Sequence, residues 1–342
     1  TDENPDLGKY TIPEKVEIIG SNAFSGAMIT EVTIGKDVTT IEPYAFSGVS
    51  DKDGKSLSGI PGYFKGKYCS KLEKINFADG NLPLSIGEGA FSGSAGELTE
   101  VTLPRNLTYL GKFAFMGRTK IKTVNIDLDP YYAAGTEIKY EESAFAWSTA
   151  NLTPSVEVVN LGEKVPVIET LSGLFGSSKL KEINIGSNPN YSIGYVPGTQ
   201  TQQALYNNDI TKILYYFDAV EDDYVLPETI TEIPAGTFRA KGGLTGITLH
   251  SGVKHIGDEA FKNCGSLARV TILDSTGENI TALELGNNVF QGCDELVEVT
   301  LPTRMRKAGS GLFKGCKLLE NVVIPEGVTE LGDEAFSAST DY

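Results

Sequence analysis

The chain has 342 residues, of which 40 % are hydrophobic and 38 are glycine, and its formal net charge is −16. Such acidity argues against nucleic acid and against anionic membrane surfaces, because both need clustered Lys and Arg to displace counterions. No apolar run approaches the roughly 18 residues of a membrane span. The polar opening Thr1-Asp-Glu-Asn-Pro-Asp6 shows no signal peptide and fits a trimmed protein as well as a cytosolic one.

Length alone would suggest two or three domains, but a repeat overrides that count. It opens within a copy at Tyr10-Thr-Ile-Pro13, and its markers are Phe24, Phe46, Phe91, Phe115, Phe145, Phe175, Phe238, Phe261, Phe290, Phe313 and Phe336. The shorter gaps are 22 to 24 residues and others are 29 or 30. A period in the twenties is the leucine-rich-repeat range. After each marker comes L-x-x-V-x-I or a near equivalent, as in Ile29/Val32/Ile34, Leu72/Ile75/Phe77 and Leu296/Val299/Leu301. The period of two at its end predicts a short strand with one buried face, closed by Gly35, Pro104, Gly162, Gly186, Pro302 or Pro325. A second apolar pair such as Val38/Ile41 or Val328/Leu331 follows and leads into the Ala-Phe step. That step is expected to form a single helical turn.

Two stretches break the rhythm. The insertion at 49–70 carries Asp51-Lys-Asp53-Gly54, but the acidic residues that should follow in a calcium loop are missing. The stretch 188–227 reads as two strands joined by the polar turn Asn207-Asn208-Asp209, and holds Tyr191, Tyr195, Tyr206, Tyr215, Tyr216 and Tyr224.

Little points to chemistry. Cys69, Cys264, Cys293 and Cys316 share one register, three residues before the leucine-type position. They lack the paired spacing of a zinc site and read as buried free thiols. His250 and His255 flank a turn and are expected to face solvent, without an elbow or oxyanion motif beside them. Glu31, Glu100, Glu182 and Glu298 recur once per repeat, as a solvated face does and a single active site does not. No phosphate loop, dinucleotide fingerprint or H-E-x-x-H is present. The chain is expected to be no enzyme and to need no cofactor and no metal. The sequons at Asn106, Asn151, Asn190 and Asn279 would matter only in a eukaryotic secretory pathway.

The repeated face is the positive signal. Its mid-strand outward residues are Thr33, Asn76, Thr102, Asn125, Asn160, Asn184, Thr248, Thr271 and Thr300, with Val323 beyond them. Two residues earlier run Glu31, Lys74, Glu100, Thr123, Val158, Glu182, Gly246, Arg269, Glu298 and Asn321. Strands stacked about 4.8 Å apart would turn these into two ladders, a surface of the kind repeat proteins offer to partners.

The cleanest copy is Ile256-Gly-Asp-Glu-Ala260-Phe261-Lys-Asn-Cys264-Gly-Ser-Leu267-Ala-Arg-Val270-Thr-Ile272, and Leu285–Leu301 is nearly whole. This pattern resembles the BspA-like leucine-rich repeats of bacterial surface proteins, over residues 10–336. Ala23-Phe24 lacks the following Cys, and Leu174-Phe175 and Thr237-Phe238 lack the Ala, which touches packing only. The expected fold is one right-handed leucine-rich-repeat solenoid over 1–342, of about twelve coils of 22–30 residues. Each coil would carry a strand on one face and turns or short helical pieces on the other. The resemblance implies a secreted or surface-anchored adhesion protein that binds an extracellular protein, host matrix components among the candidates. The alternative is a carbohydrate-binding module that stacks a glycan on Tyr206, Tyr215 and Tyr216 of the variant repeat.

Overall fold

The computed structural model describes residues 8–47, 71–93, 97–129, 139–141, 144–145, 155–168, 171–175, 180–196, 198, 200–218, 222–274, 281–320 and 322–337. The insertion at 49–70 with Asp51, Asp53 and Cys69, the sequons at Asn151 and Asn279, and Asn321 lie outside them. The chain divides into two compact units, Thr1–Pro166 with Gly173–Pro189, and Val167–Ser172 with Asn190–Tyr342.

In the first unit five coils contribute two strands each, and the coils of β11 and β12 contribute one. The longer ones are β1 (Gly8–Thr11), β3 (Ile29–Ile34), β5 (Lys74–Phe77), β7 (Glu100–Leu103), β9 (Thr123–Ile126), β11 (Val158–Leu161) and β12 (Glu182–Asn184). They pair in parallel as β1-β3-β5 and as β7-β9-β11-β12. Alternation is clean where both faces can be read: β9 runs half-buried, buried, half-buried, buried. The second apolar pair of the coil is itself a strand. β2 (Ile18–Ile19), β4 (Thr40–Ile41), β6 (Leu84–Ile86), β8 (Leu107–Leu110) and β10 (Lys139–Tyr140) form a second parallel sheet in that order.

The Ala-Phe step is a turn rather than the expected helical turn. Two residues before the marker the backbone is left-handed, at Asn22, Tyr44, Gly89 and Phe113, and two residues after it at Gly26 and Gly117. Left-handed residues cannot propagate a helix. The one helix among the described residues is α1 (Leu171–Phe175), where Leu-Phe replaces Ala-Phe. The reversal drives each phenylalanine inward. Phe24, Phe46, Phe91, Phe115, Phe145 and Phe175 stack one coil upon the next at 4.7 to 5.4 Å between ring centroids. Their backbones ladder too, for Phe46 N–H donates to Ala90 O and Phe91 N–H to Ala114 O. No coil could bury its own edge, so this column is what joins them.

The second unit opens on the variant repeat, which has three strands where the sequence suggested two. β13 (Tyr191–Tyr195), β14 (Gln202–Asn207) and β15 (Ile213–Tyr216) form an antiparallel meander. The turn falls where Asn207-Asn208-Asp209 placed it. The Asn207 amide oxygen accepts the N–H groups of Thr211 (3.0 Å) and Lys212 (2.7 Å), closing the loop. The three tyrosines of the expected stacking platform point inward, which corrects that expectation: Tyr206, Tyr215 and Tyr216 are 6 %, 0 % and 1 % exposed, whereas Tyr195 is 46 % exposed. The rings of Tyr206 and Tyr216 join the core of this unit. Tyr216 packs on Phe238 at 5.0 Å, Tyr206 and Tyr224 share a hydroxyl hydrogen bond of 2.6 Å, and Lys241 donates to the Tyr215 hydroxyl at 3.1 Å.

The coils that follow repeat the two-strand plan. β16 (Asp222–Val225), β18 (Leu244–Leu249), β20 (Arg269–Ile272) and β22 (Glu298–Thr300) form one parallel sheet. β17 (Glu232–Ile233), β19 (His255–Ile256), β21 (Leu283–Leu285), β23 (Met305–Ala308) and β24 (Glu330–Leu331) form the other. Phe238, Phe261, Phe290 and Phe313 stack at 4.8 to 5.5 Å, and Phe336 continues the column with a tilt of 35°.

The cysteine register has a second use beyond filling space. The thiols of Cys264, Cys293 and Cys316 donate to the carbonyls of Phe238, Phe261 and Phe290, each one coil back, at 2.9 to 3.1 Å. In the first unit Arg118 holds the same register, three residues after its phenylalanine, and its Nε donates to Phe91 O at 2.8 Å. A buried carbonyl left without such a donor would cost about 1–3 kcal/mol. Burial raises the Cys316 thiol to about 11, and the Cys264 thiol together with burial raises Cys293 as well. These are inert, structural thiols. The histidines also differ from expectation. His255 is exposed but sits in β19, whereas half-buried His250 organises its turn. Its Nδ1 accepts the Gly252 N–H at 3.0 Å, so Nε2 carries the proton and donates to Ile230 O at 2.8 Å.

Candidate binding face

The register of the longer strands brings the proposed face residues together within each unit. Thr11, Thr33 and Asn76 stand side by side, as do Thr102, Asn125, Asn160 and Asn184. In the second unit the row is Val225, Thr248, Thr271 and Thr300. Thr11 and Val225 were not singled out from the sequence, although Thr11 lies one 22-residue period before Thr33.

The asparagine row is a bonded chain. Asn184 Nδ2 donates to Asn160 Oδ1 at 2.9 Å, and Asn160 Nδ2 to Asn125 Oδ1 at 2.7 Å. Asn125 Nδ2 then donates to Thr102 Oγ1 (3.0 Å) and Glu100 Oε1 (2.5 Å). All donors point toward the N-terminal coil, so the amides are fixed in one orientation. A carboxamide has two N–H donors and two acceptor lone pairs. Asn160 and Asn184 therefore each keep one N–H for an outside partner. In the earlier coils Asn76 Nδ2 is held by Glu31 Oε1 at 2.8 Å.

Charges beside these rows alternate from coil to coil. Glu31 lies between Lys9 (2.9 Å) and Lys74 (3.7 Å), and Glu157 between Lys122 (2.5 Å) and Lys181 (2.8 Å). In the second unit Arg269 reaches past Gly246 to Asp223 at 2.6 Å. A Cβ at Gly246 would collide with the Asp223 carboxylate, so the glycine leaves room for the pair. The hydrogen bonds from Lys9 and Asn76 and the neighbouring ammonium charges hold Glu31 at about 2, against an ordinary 4.5. Bonds from Lys122 and Lys181 hold Glu157 at about 2.

Because both carboxyls are lowered in the folded state, their stabilisation is complete above about 4.5 and is lost as pH falls towards 2. Urea midpoints measured across that window should fall with pH in the parent chain. The fall should be shallower in the double variant Glu31→Gln, Glu157→Gln; an identical profile would sink the assignment.

Among the described residues no group of three or more His, Cys, Asp or Glu side chains is arranged to hold a metal ion. No helix among them is long and apolar enough to cross a membrane.

Parallel strand sheets, a repeating phenylalanine turn and almost no helix define a leucine-rich-repeat protein. A family model described as the BspA type leucine rich repeat region matches in six copies, over residues 3–53, 62–196 and 205–342. The chain belongs to that family. No curated protein sequence matches it significantly. Among solved structures it is similar to the pneumococcal vaccine antigen PcpA, with 20 % identity and a TM-score of 0.56, over 96 % of this chain and 84 % of that one. It is also similar to a leucine rich cell surface protein of Faecalibacterium prausnitzii, with 22 % identity and a TM-score of 0.57, over 97 % and 86 %. A leucine-rich repeat protein of Eubacterium ventriosum aligns at 17 % identity and a TM-score of 0.50, over 96 % and 82 %. At these identities the likeness is one of fold.

Proposed function

We propose that the chain is a non-enzymatic binding module, secreted or anchored at a bacterial surface, that presents its strand face to an extracellular protein. In this reading the coils wind as one right-handed solenoid of about a dozen turns. The observation that carries it is the bonded row Thr102–Asn125–Asn160–Asn184. Polar groups already fixed in one orientation lose little freedom on binding, which is what preorganisation contributes to affinity. Thr33, Asn76, Thr248, Thr271 and Thr300 extend the same surface within their units. The names of two structural relatives, a vaccine antigen and a cell surface protein, support the location. A glycan stacked on Tyr206, Tyr215 and Tyr216 is disfavoured, since those ring faces are buried.

The test is a screen of the purified chain against immobilised extracellular-matrix proteins at physiological salt. A hit should weaken about tenfold or more in the triple variant Asn125→Ala, Asn160→Ala, Asn184→Ala, as loss of a few net hydrogen bonds requires. Circular dichroism should show the fold retained. Undiminished binding by that variant would rule out the row as the contact, and the absence of any hit would rule out the matrix.

A further inference from the structure

The longer-strand sheet of the first unit is interrupted once: β5 and β7 stand in consecutive coils but belong to different sheets. Two local features account for the gap. Ala78, Gly162 and Leu273, each following a longer strand, donate their N–H to the last strand residue one coil back, namely Ile34, Ile126 and Leu249. Pro104 holds that place after β7 and has no N–H to give to Phe77. Proline alone is insufficient, since Pro302 holds it after β22, where the sheet stays whole. The added feature is Phe77, an aromatic ring where other coils have Ile34, Leu103, Ile126, Leu161, Leu249 or Ile272. Its ring stands edge-on to Phe91 of the same coil, at 82° and 6.3 Å between centroids.

A cavity of about 240 Å³ opens at this interruption, lined by Phe77, Ala78, Asp79, Gly80, Pro104, Arg105 and Asn106. At roughly 30 Å³ per water it has room for about eight, and so for one small ring molecule. Asn106 is 4 % exposed, and its Nδ2 donates to Leu82 O at 2.5 Å. Asp79 is exposed and makes no ion pair among the described residues, and Arg105, also lining the cavity, holds Asp129 at 3.4 Å. An anion would meet the Asp79 carboxylate and a cation the Arg105 guanidinium. A neutral molecule with several hydroxyls can donate to Asp79 and Asn106, accept from Arg105, and lay its C–H face on Phe77 and Pro104.

We infer that this cavity binds a single neutral sugar residue. The inference is independent of the strand-face reading, because the cavity lies at the strand ends and involves none of the ladder residues. The experiment is saturation-transfer NMR on the full chain with the methyl glycosides of glucose, galactose and N-acetylglucosamine. Saturable transfer from at least one is expected, at roughly millimolar affinity for so small a ligand. Asp79→Ala and Arg105→Ala, both at exposed positions, should each weaken it about tenfold. Phe77→Ile, which restores the residue type of the neighbouring coils, should abolish it while the melting temperature holds or rises. No transfer to any of the three glycosides would overturn the inference. So would transfer unchanged in all three variants, or displacement by inorganic phosphate.

Discussion

Phe261→Ala is expected to be the most destabilising single truncation in the second unit. The ring is fully buried and stacked on both sides, on Phe238 at 4.8 Å and on Phe290 at 5.3 Å. Removing it creates a cavity in the middle of the aromatic column, which costs about 3–5 kcal/mol for a buried phenylalanine. Part of that is the ring–ring contact, about 0.5–1.5 kcal/mol on each face beyond area alone. Phe336→Ala is the matched control, because Phe336 is 48 % exposed and stacks on Phe313 alone. Its loss should cost less than about 1.5 kcal/mol, the value of one ring pair. Urea unfolding followed by far-UV circular dichroism gives both numbers, with the midpoint falling at constant slope. Equal costs for the two substitutions would refute the column as the element that joins the coils.

The column was legible because its spacing is a property of the chain itself: a ring that recurs at gaps of mostly 22 to 30 residues must align if successive coils stack. The face residues were legible for a similar reason, since a strand places every second side chain outward whatever the rest of the fold does. What the sequence hid depends on contacts between coils. Where the residue two before a marker is left-handed, it is Asn22, Tyr44, Phe113, Glu259, Asn288 or Glu334 as well as glycine, so composition carries no sign of it. Cys264 and Arg118 share no chemistry in a table of residue types, yet both donate to the phenylalanine carbonyl of the preceding coil. The tyrosines of the variant repeat misled because aromatic richness suits an exposed platform and the inner face of a sheet equally. A third strand, β13, covers one edge of that meander and was invisible without its pairing partner. The interruption after β5 coincides with Phe77, but one large residue in an Ile/Leu register gives no warning until the cavity beside it is seen.

A substitution of one methyl group should separate two glycines only eight residues apart. Gly257 follows β19, and an added Cβ would lie 2.5 Å from Ala235 N and 2.9 Å from Ala235 Cα in the preceding coil. Gly87, Gly111, Gly286, Gly309 and Gly332 hold the same place after β6, β8, β21, β23 and β24, and a Cβ on any of them would likewise fall under 3 Å from neighbouring backbone. Backbone cannot rotate aside as a side chain can, so Gly257→Ala must push two coils apart. The pairing Glu232↔His255 and Ile233↔Ile256 and the 4.8 Å stack of Phe238 on Phe261 both depend on that approach. Overpacking of this kind costs about 1–3 kcal/mol. Gly265 lies in the turn beyond Cys264, where a Cβ would meet nothing within 4 Å. Gly265→Ala should instead stabilise by about 0.4–1 kcal/mol, through the entropy removed from the unfolded chain. Thermal unfolding resolves the two signs, since 1 kcal/mol shifts the melting temperature by about 2–4 °C in a unit of this size. If both variants melt together with the parent, the coils are not in backbone contact at this column, and the glycines there reflect turn geometry alone.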